Sequence, residues 1–214
     1  MPEVSFVWVR AFVLVAGLAI LAGRAIHDVA THGREASRAK EYAFLLLTTF
    51  AAVIYGIVHD QITASISPEY FLVWKGLATD PRPWRIAVTL VAVRSSWWAG
   101  LLAGVCFLVA NNPTRSGRRR LGYGELGRLA AVPPVVALVT AAACGAVNVV
   151  DPLGVGARVR ELVAKPRLAA FMFVWGVHFG SYVGALVGVA WATRRIVARR
   201  REAEPTASGP ERQP

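Results

Sequence analysis

Long apolar runs separated by short basic segments set the pattern of this chain. Five of them stand out: Val4 to Ile26, Tyr42 to Thr63, Trp84 to Ala110, Leu129 to Val150 and Leu168 to Thr193. Each approaches the ~20 residues a helix needs to cross a bilayer core. The first is the weakest, because Arg10 and Arg24 leave only Ala11 to Gly23 uninterrupted. Read as a signal peptide it has a poor n-region, with Glu3 present and Arg10 late, so a true span is expected there. The pattern predicts an all-α integral membrane bundle of about five transmembrane helices. Residues 1–201 form one membrane-embedded domain, and residues 202–214 form a tail without apolar period that reads as disordered.

Smaller patterns sit inside this frame. Ser67-Pro68-Glu69 has the form of a helix start, with a capping Ser, Pro at the first helical position and an acid in the first turn. It predicts a short outer helix to about Trp74, with Tyr70, Phe71, Leu72 and Trp74 resting in the membrane interface. Pro133-Pro134 should bend or start the fourth helix. Gly176, Gly180, Gly184 and Gly188 recur every fourth residue and form a ridge that lets a neighbouring backbone come close, in this chain or in a second copy. Two positions along a helix turn ~200° around it, so His178 and Tyr182 lie nearly opposite that ridge.

Composition strengthens the membrane reading. At 55% hydrophobic residues, the chain is too apolar for an ordinary soluble domain. The net charge of +11 could point to nucleic acid, but the basic residues cluster between the apolar runs, which is the signature of membrane orientation. No nucleic-acid partner is expected; the partner is the lipid bilayer. The Asn111 to Arg128 connection and the segment after Thr193 are both rich in arginine and are expected in the cytoplasm. The N-terminus then lies outside and the C-terminus inside. Arg158, Arg160, Lys165 and Arg167 fall on the opposite side and are expected on an amphipathic helix lying on the membrane. Cys106 and Cys144 have no CxxC or Cys/His spacing and are expected as free thiols.

Ionisable groups in or at the rim of a span are expensive and usually have a partner or a task. His59, Asp60, Gln61, Glu69, Arg94, His178 and Tyr182 are the candidate polar site. Helix rise of ~1.5 Å per residue places Arg94 and His178 at similar depth in the third and fifth runs. Bland readings compete. His59 and Asp60 could simply end a helix, Glu69 could cap its own helix, Arg94 could pair with Asp60 or Glu69, and His178 could tie helices together. The sharper reading is chemical. Two imidazoles and two carboxylates, His59, His178, Asp60 and Glu69, are a ligand set for a divalent transition metal such as zinc, iron or manganese.

His59-Asp60-Gln61-Ile62-Thr63, then Glu69-Tyr70-Phe71, with His178-x-x-x-Tyr182-x-Gly184 in the last run, resembles a group of small uncharacterised bacterial multi-pass membrane proteins sharing an H-D-Q-[IV]-T…E-Y-F motif. The resemblance implies a bacterial plasma (inner) membrane location and no particular reaction. The leading functional expectation is an outward-facing polar site that binds a metal ion or small polar solute. The alternatives are a proton-coupled transporter or channel component, with His59, Asp60, Arg94 and His178 as a relay, and a non-catalytic scaffold or partner subunit.

Overall fold

A computed structural model describes residues 19–33, 36–112, 119–152, 154 and 156–202. Most of the first apolar run and the tail beyond Glu202 lie outside the described residues, and so does the answer to whether that run spans. The chain is an all-α membrane bundle. Residues 19–32 are helical (α1), followed by α2 (Arg38–Ile66), α3 (Trp84–Ala110), α4 (Tyr123–Ala130), α5 (Val132–Asn148), α6 (Gly156–Val159) and α7 (Lys165–Glu202). Four helical segments among the described residues are long and apolar enough to cross a membrane: Arg38–Ile66, Trp84–Ala110, Tyr123–Asn148 and Lys165–Glu202.

The described residues up to Leu47 belong to a unit of their own. In it the Asp28 carboxylate accepts the Arg38 backbone N–H at 2.8 Å and pairs with His32 at 3.0 Å. His27 and His32 are exposed there, as solvated histidines should be.

From Thr48 onwards the bundle is built from two tight helix pairs. In the first, Gly100 of α3 lies against the backbone of Thr48 and Thr49 and the Ala52 methyl of α2, and Gly56 of α2 lies against Ser96. The second is α5 on α7. Gly176 meets Cys144 and Asn148, Gly180 meets Thr140 and Cys144, Gly184 meets Ala137 and Val136, and Gly188 meets Pro133. Small residues permit this approach, and it brings backbone dipoles and side-chain donors within reach. The Thr140 hydroxyl bonds the Gly180 carbonyl at 2.8 Å, and buried Asn148 donates to the Met172 carbonyl at 2.6 Å. The ridge is thus filled by α5 of the same chain, which removes it as the face for a second copy.

Pro133 and Pro134 start α5 in its first turn, where an absent N–H leaves no bond unmade. The expected surface helix near Arg158 is only the single turn α6. Lys165 and Arg167 instead open α7, because Arg167 is held by Glu69 and the Ile66 carbonyl. Cys106 and Cys144 are free thiols.

Polar contacts join the two pairs at both ends. At one end Arg167 Nε meets Glu69 Oε1 at 2.7 Å. At the other, Arg200, only 5% exposed, donates to the carbonyls of Ala110 at 2.7 Å and Arg119 at 3.2 Å, taking up acceptors left over where α3 ends.

Candidate metal centre

Asp60 lies one turn and a half before the end of α2, and His178 lies in the middle of α7; both are buried. The His178 Nδ1 atom is 2.9 Å from the Val174 carbonyl oxygen, which can only accept, so the proton sits on Nδ1. In the neutral ring Nε2 then carries a bare lone pair. That atom lies 3.3 Å from Asp60 Oδ1, without the alignment of a hydrogen bond, and is otherwise unpartnered. His59 repeats the arrangement. Its Nδ1 is 2.9 Å from Asp60 Oδ1, which orients the ring, and its Nε2 is buried and unpartnered. One ligand atom from each of His59, Asp60 and His178 falls within 4.8 Å of the others.

Two lone pairs facing one another across 3.3 Å repel unless something positive, a second proton on the imidazole or a metal ion, lies between them. That spacing matches the ~3.3 Å edge of a tetrahedron whose ligands stand ~2.0–2.1 Å from a central ion. The His59–Asp60 contact has a different meaning. At 2.9 Å it has the length of a hydrogen bond in which the imidazole N–H donates to the carboxylate; for His59 to share an ion with Asp60 Oδ1, that proton would move to Nε2 and leave Nδ1 as the ligand atom.

Aromatic rings close the site. After Ile66 the Ser67 hydroxyl bonds Glu69 Oε2 at 2.8 Å, and Tyr70–Trp74 then forms a π-helical turn closed by Lys75 N–H to the Tyr70 carbonyl at 3.1 Å. The helix start at Ser67-Pro68 is therefore present, but the wider turn directs Tyr70 and Phe71 inward. Their ring centroids stand 4.4 and 5.7 Å from that of His178, and both are buried, while Leu72, Val73 and Trp74 face outward. Burial pushes the Tyr70 phenol well above its usual range, so it stays protonated.

Of the predicted site residues, the structure brings together His59, Asp60 and His178, with Tyr182 lining the adjoining cavity and meeting Ser95. The other three are elsewhere. Glu69 is committed to Arg167, whose guanidinium holds its carboxyl below the usual carboxylate range, so it is corrected from metal ligand to helix-end anchor. Gln61 donates to Thr89 Oγ1 at 2.9 Å and the Arg85 carbonyl at 3.0 Å, linking α2 to α3. Arg94 is exposed and points away from the cluster. Similar depth did not bring it in, because the inward face of α3 is Ser95, Ser96, Ala99 and Ala103, and one residue is ~100° of rotation.

Sequence reasoning left Tyr55 out of the site; its hydroxyl bonds that of Ser181 at 2.9 Å beneath the cluster. Tyr55 is one turn before His59 and stacks on it, with centroids 5.7 Å apart, a spacing the i, i+4 rule would have shown. Tyr70 and Phe71 were visible as a motif, but their helical phase was not. No family model matches the chain, and no curated protein or solved structure matches it either.

Proposed function

We propose that the protein holds a divalent transition metal ion in the bilayer through His59, Asp60 and His178, leaving at least one coordination position for a ligand. The observation that carries this is the pairing of a bare, buried His178 Nε2 with a carboxylate oxygen at 3.3 Å. Two imidazoles and one carboxylate suit zinc, iron or manganese, and an incomplete shell is what a Lewis-acid site requires. The site is entered from within the bundle, since Tyr70 and Phe71 cover His178; this replaces the outward-open polar site expected from the sequence. A relay through Arg94 is disfavoured by its exposure.

The same reading places the N-terminus outside and the C-terminus in the cytoplasm of a bacterial plasma membrane. The two arginine-rich segments support that orientation by meeting at one end: Arg199 pairs with Glu125 at 2.7 Å, and Arg200 reaches the Arg119 carbonyl.

Metal analysis of detergent-purified protein tests the proposal. Wild type should carry roughly one ion per chain. His178→Gln and Asp60→Asn should lose it while still unfolding cooperatively. Wild-type protein that stays metal-free after supply of zinc, iron(II) and manganese(II) would sink the reading.

A further inference from the structure

The cluster is the polar end of a cavity of about 140 Å³ that continues between the two helix pairs. On α2 its lining runs from Asp60 back to Thr48, and on α7 from His178 on to Val189, so it follows ~16–18 Å of helix. So small a volume spread over that length is the width of a single hydrocarbon chain. Alanine is the commonest residue in the walls, beside Ser95, Ser96, Ser181 and Tyr182, and Phe107, Pro133 and Pro134 line the far end. A water column needs two to four polar partners for each molecule, and these walls do not supply them. Ser95 and Ser96 bond the Ala92 carbonyl of their own helix, and Ser181 bonds Tyr55. Among the lining atoms, the buried ones without any hydrogen-bond partner are at the upper end: the Nε2 atoms of His59 and of His178, the latter residue 4% exposed.

We propose that this groove binds a single-chain amphiphile: the tail lies along the alanine walls and an anionic oxygen head, carboxylate or phosphate monoester, reaches the His59–Asp60–His178 cluster. The polarity runs one way along the groove, as an amphiphile's does. The roof of Tyr70 and Phe71 closes the end next to the cluster, so such a molecule comes from the lipid phase, where amphiphiles are concentrated. A two-chain phospholipid is too wide. The head assignment rests on the metal reading, because a bound ion supplies the positive charge that an anionic head needs beside Asp60; the tail assignment rests on the groove alone.

The test uses the full chain in detergent, with a photoactivatable analogue of palmitate as probe and mass spectrometry to place the crosslinks. Crosslinks are expected on groove residues such as Ala99, Ala103 and Ala185. Excess palmitate or hexadecyl phosphate, which carry similar straight tails, should compete, and the stronger competitor identifies the head as carboxylate or phosphate. Ala185→Leu and Ala103→Leu, which fill the groove, should each cut labelling at least tenfold while metal content is unchanged. Labelling that persists in a metal-free wild type would keep the tail site and remove the head contact, separating failure of the metal reading from failure of this one. Crosslinks confined to exposed positions such as Phe50, Ile54 and Leu186, or labelling insensitive to both competitors and to both folded leucine variants, would overturn the proposal.

Discussion

Along α7 the glycine face and the face that carries His178 look in nearly opposite directions over the same stretch, and both are bordered by small residues. On the glycine face α5 advances until backbone touches backbone. On the other face, alanines of α2 and α3 stand back and leave a groove. The difference does not lie in residue size. α2 and α3 have already closed on each other at Gly100 and Gly56, as α5 and α7 have at the ridge, and two closed pairs meet less intimately than two single helices. Polar contacts hold the pairs together at the ends, and the space between them stays open in the middle. Small side chains therefore mark a close contact only where the opposing helix has no nearer partner.

Adjacent substitutions on α7 break this comparison most sharply. Gly184→Leu drives a side chain into Thr140, Ala137 and Val136, and should destabilise the bundle by about 3 kcal/mol or more. Ala185→Leu, one residue on, points into the groove and should leave the thermal midpoint in detergent nearly unchanged. Equal losses in the two variants would show that the faces are packed alike.

The staple at the far end ranks next. Arg200→Leu takes the donor from the carbonyls of Ala110 and Arg119, and should lower stability by about 2 kcal/mol, because two hydrogen bonds of a buried guanidinium are lost. The folded fraction should keep its metal, since the cluster lies at the other end; concurrent metal loss would mean that the ends are coupled.

Much of the fold was legible before any coordinates, and for a physical reason. Bilayer thickness sets helix length, so the runs from Tyr42, Trp84, Leu129 and Leu168 each contain the core of a spanning segment. The glycine ridge was legible because its spacing repeats that of a helix face. Relative height along α3 and α7 was legible too: Ser95, beside Arg94, meets Tyr182, one turn from His178. Rotation was not: Arg94 and His178 share a depth, but facing directions follow from which helices pair, and that depends on contacts between distant segments. The same gap hid the inward turn of Tyr70 and Phe71. A π-helical turn changes the angular step, and no local spacing announces it.

The opposite end gives a smaller effect with a defined sign. Arg167 lowers the folded-state affinity of Glu69 for protons relative to the unfolded chain. The pair's contribution is therefore complete above the unfolded carboxylate value of ~4.3 and is lost as pH falls through the lower folded value. The pair is partly solvent-exposed, so the change should stay under ~1 kcal/mol. Thermal midpoints of wild type and Glu69→Gln, compared between roughly pH 7 and pH 3, should converge at the acid end. A gap that widens with acid would refute the assignment.

The smallest effect is expected at Arg94. Replacing it with Gln should leave metal content and groove labelling at wild-type levels, because it faces away from both. Loss of either would return it to the site.

The two closed pairs also imply an order of events as the protein forms. α2 and α3 are neighbours in the chain, and so are α5 and α7 once the single turn of α6 is passed, so each pair can close through contacts of modest sequence separation. Docking one pair on the other joins Asp60 to His178 and Glu69 to Arg167, residues distant in sequence, and belongs to a later step. His59 and Asp60 arrive together, but His178 reaches them only at docking. On the proposed metal reading, uptake of the ion would then time the last stage of assembly, and a chain arrested before that stage would hold both hairpins with the three side chains still apart.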